Sequence, residues 1–414
     1  MSEFNNERWL QPFEAHLAEQ GYKAVTIKRR LSTCEQFLLF LREKGLAIEQ
    51  VIPPILDAFI QHQVQRYHQR NGHELRDVSV AMHWYGGGIA QLLRFVQGQW
   101  PPPSPPANEL ERFHQHLYAG YVDWLSQCRG LSVATIKLYG QRAQQFLTWL
   151  GDRASAKRLT ELTVQDIDAY FTAIAPRYQR HTRAGLCSQV RDFLRYLQYQ
   201  GIISQDLAAT VISPTRYALE SIPPALKPED VATVLAVAQR NRTSVGIRNY
   251  ALVLLLAHYG LRSGEVVRLR LDDIDWRHDQ FLIHQSKSGK ENRLPLLAPV
   301  GNALLDYLEN ARPPVALREV FVSAYAPYRP LPSLHHIVSR LLAEVGIQAQ
   351  GRRGPHTFRH ARAVSLLRQR VSLKAISDIL GHRSAAQTRI YLKLATEDLR
   401  DVALELPVLE EATP

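Results

Sequence analysis

The stretch GPHTFRHARAVSLLRQRVSLKAISDILGHRSAAQTRIYLKL, residues 354–394, decides how the rest of the chain is read. His356 and Arg359 stand three positions apart, a spacing that puts both on one face of a helix. Ser372 then opens a short apolar run of Leu373, Ala375, Ile376, Ile379 and Leu380, which Gly381 closes where a helix C-cap is favoured. His382 follows directly. Ser384 and Gln387 form an S-x-x-Q capping box, which predicts a new helix near Ala385 with Tyr391 on its second turn. In one unbroken helix, His382 and Tyr391 would fall on opposite faces; the break between Gly381 and Ser384 lets them converge. Two histidines, an arginine and a tyrosine delivered by three short helices describe an anion site with a nucleophile in it.

HTFRH, then LGH, then a tyrosine nine residues on resembles the C-terminal signature of the tyrosine site-specific recombinases, the phage integrase and Xer family. That family also has an arginine in a helix-turn-helix and a lysine on a β-hairpin. Arg262 in HYGLRSGEVVRL and Lys287 in HQSKSGKENRLPL stand in those places. Five elements in the family's order make the resemblance specific, and it covers roughly residues 107 to 400. It implies a catalytic set of Arg262, Lys287, His356, Arg359, His382 and Tyr391.

Composition is consistent with a DNA-binding protein without requiring one. The 414 residues are enough for two or three domains with proper cores. Lys and Arg number 50 against 39 Asp and Glu, a formal charge of +11 with a pI near 9.6. Such a surplus also fits an ordinary basic surface, but arginine clusters such as Arg352–Arg353 suit phosphate. Cys34, Cys128 and Cys187 are widely separated and read as neither a metal site nor a disulfide framework. No signal peptide and no apolar run approaching a membrane span is visible, so the expectation is a soluble cytoplasmic protein without membrane attachment.

From the start, residues 9–97 read as helices with short joints, the window Val25–Leu41 being amphipathic. QWPPPSPPANE, residues 99–109, is a stiff proline linker. The region after it repeats the region before it. Thr26-Ile27-Lys28 returns as Thr135-Ile136-Lys137, and Gln36-Phe37-Leu38 as Gln145-Phe146-Leu147, both at an offset of 109. Asp57-Ala58-Phe59 matches Asp168-Ala169-Tyr170 at 111, and Leu93-Arg94-Phe95 matches Leu194-Arg195-Tyr196 at 101. Ordered matches with small drifts indicate duplication, with an insertion in the first copy between Asn71 and Gly88.

The expected domains are therefore 1–98, a helical duplicate; 108–212, which resembles the family's SAM-like core-binding domain; and 225–414, which resembles its catalytic domain. In 108–212, Ser132 caps a helix whose core face is Val133, Ile136, Tyr139, Ala143, Phe146 and Leu150. Lys137 and Arg142 on its other side, with Arg180, Arg183, Arg191 and Arg195 on a second helix, are candidate DNA contacts; solvated faces are the plain alternative. In the last domain, Asn249–Tyr259 is apolar all round and reads as a buried helix. Phe281–His284 and Arg293–Leu296 flank a turn at 286–290, and with Asp273–Trp276 they predict three antiparallel strands. The fold class expected is mainly α with a small three-stranded antiparallel sheet.

A cationic pocket without paired carboxylates suits a phosphodiester gathering negative charge on its equatorial oxygens, not two-metal hydrolysis. Arg262 and Arg359 would grip those oxygens with paired N–H donors. Tyr391 is the candidate nucleophile; a phenol of pKa about 10 is only ~0.1% ionised at pH 7, so it needs positive neighbours. His356 would accept its proton, Lys287 would protonate the leaving 5′-oxygen, and His382 would hydrogen-bond the phosphate. Bland roles stand beside these: a core aromatic at Tyr391, an Arg262–Glu265 ion pair, and a solvated turn in which sequence alone does not separate Lys287 from Lys290. The remaining histidines, including His335 and His336, lack a companion ligand set.

The resemblance implies a site-specific recombinase that cuts and rejoins double-stranded DNA at specific core sites through a 3′-phosphotyrosyl link, with no metal and no cofactor. It would serve integration, transposition or resolution of a mobile element, as a homotetramer or hetero-assembly on DNA. The segment Glu397–Leu409 would dock on a neighbouring subunit. Two other readings stay open: DNA relaxation of the type IB topoisomerase kind, and a non-catalytic DNA-binding partner in a synapse.

Overall fold

A computed structural model describes residues 6–72, 82–103, 105–215, 225–285, 291–347 and 354–381. Lys287, His382 and Tyr391, the Ser384–Gln387 capping box and the 397–409 segment all lie outside the described residues. The fold is mainly helical with one small sheet, as its apolar periodicities predict. Residues 103–220 form one compact unit, and residues up to Pro102 together with those from Ser221 onward form another.

The first hundred residues fold around α1 (Leu10–Glu19), α2 (Ala24–Glu43), α3 (Pro53–Asn71) and α4 (Gly87–Gln97). Residues 103–220 carry α5 (Glu109–Gln127), α6 (Val133–Leu150), the single turn α7 (Ala156–Leu159), α8 (Val164–Ile174), α9 (Arg180–Tyr199) and the short α10 (Leu207–Thr210). Their cores repeat one another position by position. Ile27, Phe37, Leu38 and Leu41 are buried on α2, and Ile136, Phe146, Leu147 and Leu150 are buried 109 residues later on α6. The Phe37 and Phe59 rings meet edge-on at 5.1 Å and 74°, and Phe146 and Tyr170 do the same at 4.9 Å and 75°. Equivalent residues in equivalent ring geometry go beyond what two unrelated amphipathic bundles share.

The expected core face of α6 needs one correction. Val133 is 83% exposed, because it is the first residue after the Ser132 cap and its side chain precedes the packed turns. Gly140 and Leu147 are buried instead. Gly140 is needed there because a Cβ would stand 2.7 Å from the Tyr118 ring.

In the C-terminal part, α11 (Pro228–Arg240) and α12 (Ser244–Tyr259) pack together, and Ala251 to Leu256 of α12 are buried without a break. The sheet is β1 (Ile274–Asp275), β2 (Gln280–His284) and β3 (Glu291–Pro295), antiparallel in the order β1-β2-β3. Phe281 pairs with Leu294 and His284 with Glu291. The remaining α-helices among the described residues are α13 (Ser263–Val267), α14 (Ala298–Asn310), α15 (His335–Glu344), α16 (Pro355–Arg368) and α17 (Leu373–Leu380).

The N-terminal bundle, expected to hang from a stiff linker, shares a cleft with this part of the chain. Tyr22, Lys23 and Arg30 line it from one side, and Thr243, Tyr325 and Tyr328 from the other. Gly21 permits the approach, since a Cβ there would meet the Tyr328 ring at 2.7 Å and its φ is +79°.

Phe37→Ala is expected to destabilise the N-terminal bundle by about 3–5 kcal/mol through the cavity it leaves. Denaturant unfolding followed by hydrogen exchange should show protection lost in α2 and α3 but retained in α6 and α8. Loss in both bundles together would show that they do not fold as separate cores.

Candidate active site

The candidate site is built where three turns meet. Helix α12 ends at Gly260, which adopts the left-handed conformation a C-cap requires, and the chain turns at once into Arg262. Arg262 donates through Nη1 to Glu265 Oε1 at 2.7 Å, and its backbone N–H reaches Oε2 at 2.7 Å. Glu265 is therefore a buried carboxylate that fixes both main chain and side chain at Arg262. The other terminal nitrogen, Nη2, donates to the carbonyl of Gly381 at 3.0 Å, 119 residues away in sequence.

Arg359 sits in the second turn of α16, 3% exposed. Nη1 donates to the carbonyl of Gly260 at 2.8 Å, and Nη2 donates to the carbonyl of Leu380. One guanidinium thus joins the end of α12 to the end of α17. His356, one turn earlier, is exposed, so the pair does not project equally from one face. Arg359 points into the protein and His356 out of it.

Ser372 caps α17 by accepting from the Ala375 N–H at 3.2 Å, and Gly381 closes it with φ +62°, as the apolar run with its flanking Ser and Gly predicts. The main chain leaves this turn toward His382. Arg262 and Arg359 therefore both converge on the carbonyls that immediately precede that histidine. The Arg262–Glu265 ion pair, named above as the plain role, is present at 2.7 Å, and it positions Arg262. Sequence reasoning missed the carbonyl partners and His360, for which no residue pattern gave a signal.

His360 lies partly buried beside His356, their ring centroids 6.3 Å apart. Burial first, then the charges of His356 and Arg359, push its pKa down to about 4. The pKa of His258, which lies on α12 near Arg362, is lowered by burial first and then by the Arg362 charge. A cavity of about 370 Å³ lies there, with Leu226, Val231, Leu235 and Phe358 lining it beside Arg362 and Arg368.

The arginines expected to touch DNA are unequal. Lys137 is exposed on α6, and Arg180 is exposed at the first residue of α9. Arg142 donates to Gln145 at 2.6 Å and lies 5.8 Å over the Tyr178 ring, beside a groove of about 710 Å³ that Gln141, Trp149 and Arg177 also line. Arg183 is partly buried. Arg191 donates through Nη2 to the Val211 carbonyl at 2.7 Å and to Ser213 Oγ at 3.0 Å, which ties α9 to the departing chain. Arg195 stays half exposed but stands 3.9 Å from Asp192, which also pairs with Arg129 at 3.4 Å.

Residues 224–398 match the phage integrase family, and residues 119–201 match its N-terminal SAM-like domain. The putative integrase/recombinase y4rA of Sinorhizobium fredii is 35% identical over 409 residues, covering 96% of this chain and 94% of that relative. That match takes in most of the first hundred residues. Tyrosine recombinase XerD of Listeria monocytogenes is 29% identical over 296 residues, covering 69% of this chain and 96% of its own. Among solved structures, XerH bound to its difH substrate superposes with a TM-score of 0.56 at 18% identity, over 73% of this chain and 90% of that one. A lambda integrase dimer on a core site gives 0.53 at 18%, over 72% and 99%. The chain belongs to the phage integrase family of tyrosine recombinases.

Because the folded protein holds His360 neutral down to about pH 4 while an unfolded histidine titrates near 6.5, the unfolded state binds the extra proton first. Stability should fall as pH drops from about 6.5 to 4, by on the order of 3 kcal/mol at most. His360→Gln should flatten that decline, read as denaturant midpoints at pH 7.5, 5.5 and 4.5. A parallel decline in both proteins would show that other groups carry the acid sensitivity.

Proposed function

We propose that this enzyme, a DNA-breaking and rejoining tyrosine recombinase, works through a 3′-phosphotyrosyl intermediate formed by Tyr391, on behalf of a mobile element. The observation that carries the reading is the convergence of Arg262 and Arg359, nearly a hundred residues apart, on the turn at Leu380–Gly381 that leads into His382. Two guanidinium groups held at one place with fixed orientation make a phosphate site. Their backbone carbonyl partners orient them without cancelling their charge.

In this reading Tyr391 attacks the scissile phosphorus, a phosphotyrosine bond forms, and the 5′-oxygen leaves. His356, exposed at the start of α16, takes the phenolic proton, and Lys287 supplies one to the leaving oxygen. His382 and the two arginines hold the nonbridging oxygens as charge develops on them. The phosphodiester energy stays in the phosphotyrosine, so the freed 5′-hydroxyl of another strand reverses the step. No external energy source enters that balance.

The substrate of this reading is double-stranded DNA. Lys137, Arg142, Arg180 and Arg183 are the contacts we assign to the SAM-like domain, where Lys137 and Arg180 are exposed and Arg142 lies beside glutamines and Tyr178 able to meet phosphate and base edges. Lambda integrase is solved as a dimer on a core site and as a tetramer on a Holliday junction. A comparable assembly of this chain would use the 397–409 segment, whose leucines and acids complement the apolar cavity carrying Arg362 and Arg368. The matches to y4gC, 50% identical over 189 residues, and to y4rA favour recombination over simple DNA relaxation, since both bear the name putative integrase/recombinase.

Incubation with a nicked core-site duplex, resolved under denaturing conditions, should give a protein–DNA adduct, in EDTA as well as in magnesium. Tyr391→Phe should abolish it. An adduct that survives the substitution, or one that forms only with added metal, overturns the mechanism.

Arg262→Lys keeps the charge but loses the fork, so cleavage should fall by two or more orders of magnitude while DNA affinity changes little, the pattern of donors used in the transition state. Arg359→Lys should lose stability as well, because the carbonyls of Gly260 and Leu380 would each be left short of a donor at about 1–3 kcal/mol. Thermal melting measured beside cleavage separates the two; equal losses of affinity and cleavage would place these residues in general DNA binding.

A further inference from the structure

The strands that carry the lysine hairpin are bolted to the arginine site at their base, by residues to which no role has been given. Tyr259, the last residue of α12, donates from its hydroxyl to the Pro295 carbonyl at 2.8 Å and accepts the Leu297 N–H at 2.9 Å. That pins the far end of β3. At the near end, Asn292 donates to the Asp378 carbonyl in the last turn of α17 at 3.4 Å. Gln285, the residue directly after β2, is 8% exposed and lies against Gly381. A Cβ on Gly381 would stand 2.0 Å from Gln285 Nε2 and 2.4 Å from its Cδ, so the amide is packed directly on the glycine and a larger residue would push it aside.

This packing is specific in direction. Gly381 already needs its left-handed φ to end α17, and its carbonyl already receives Arg262. The same residue therefore terminates a helix, orients a phosphate-binding arginine and seats the end of a β-strand. A buried polar side chain at such a junction restricts where the next residues can go. Two residues beyond Gln285 comes Lys287.

We propose that Gln285 is a positioning residue of the cleavage reaction. Packed on Gly381, it fixes the strand end from which the lysine hairpin starts, relative to the turn on which Arg262 and Arg359 converge. Asn292 holds the opposite strand to the same helix end. The proposal rests on reading the hairpin lysine as the acid that protonates the leaving 5′-oxygen. A loosened hairpin then costs proton delivery specifically, and leaves phosphate binding and tyrosine attack intact.

The test compares a core-site duplex carrying the ordinary 5′-bridging oxygen with one carrying a 5′-bridging sulfur, which leaves as a thiolate and needs no proton. On the oxygen substrate, Gln285→Ala should cleave about 10- to 100-fold more slowly, a part of what a general acid supplies. On the sulfur substrate its rate should return to within about threefold of the unsubstituted protein. DNA affinity and melting temperature are measured alongside. Asn292→Ala, which releases the opposite strand from the end of α17 and leaves the Gly381 turn intact, should show the same sulfur rescue.

Equal slowing on both substrates would overturn the proposal, since it would mean a general loss of the fold or of the arginine site. Lys287→Ala and Lys290→Ala run as controls. Rescue of Lys290→Ala instead of Lys287→Ala changes which lysine is the acid and leaves a rescued Gln285→Ala in support. Rescue of neither lysine variant removes the acid from the hairpin, and the role of Gln285 falls with it.

Discussion

Everything at the candidate site hangs on two guanidinium groups bonding main-chain carbonyls. Burying a charged arginine is costly unless its donors are satisfied, and here they are satisfied by helix ends. The last carbonyls of α12 and α17 have no intrahelical partner, so each needs a donor, and each carries the negative end of a helix dipole. Arg359 answers both needs at once by bridging Gly260 and Leu380. Arg262 does the same at Gly381 while Glu265 holds it from the other side. Stability and function share one set of bonds.

A carboxylate on each arginine would have made a stronger pair and a weaker phosphate site, because full neutralisation removes the attraction for an incoming anion. Carbonyl oxygens carry only partial charge. They fix the plane of a guanidinium, which has five N–H donors in a rigid fork, and leave the net positive charge on the residue. Glu265 bonding Arg262 is a partial exception. It binds the backbone N–H of residue 262 as well, so much of its role is to set the turn rather than to quench the charge.

Much of this was legible before any coordinates. The helices at 355–368 and 373–380, the hairpin strands and the buried helix before Gly260 follow from apolar period and from Ser, Gly and Pro at their ends. The internal repeat was legible because core residues recur in order, and the matched Phe37–Phe59 and Phe146–Tyr170 rings give it physical form. What was not legible were contacts made by backbone. A carbonyl is present at every residue, so no residue type announces that Gly381 receives Arg262. The Arg191 bonds were hidden for the same reason: a basic residue on an amphipathic helix looks equally suited to phosphate and to a carbonyl, and only the path of residues 211–213 brings the Val211 carbonyl to it. Val133 misled because a helix's first residue keeps its periodicity but has nothing packed over it.

The two helical bundles carry matched cores under different surfaces. Cores are constrained by volume, so Phe37 and Phe146 remain, and Ile27 and Ile136 remain. Surfaces are not so constrained. Where α6 carries Arg142 and Gln144, the matching positions of α2 are Thr33 and Glu35, which removes one cation and adds one anion. Arg30 of α2 instead lies 4.3 Å over the Tyr22 ring, in the cleft shared with Tyr325 and Tyr328. The groove is carried by α6 of the second bundle, and in the first bundle the polar and aromatic weight lies at the start of α2. That start is where Gly21 lets a neighbouring tyrosine ring approach the backbone, so the two bundles differ at the residues that meet something other than their own core.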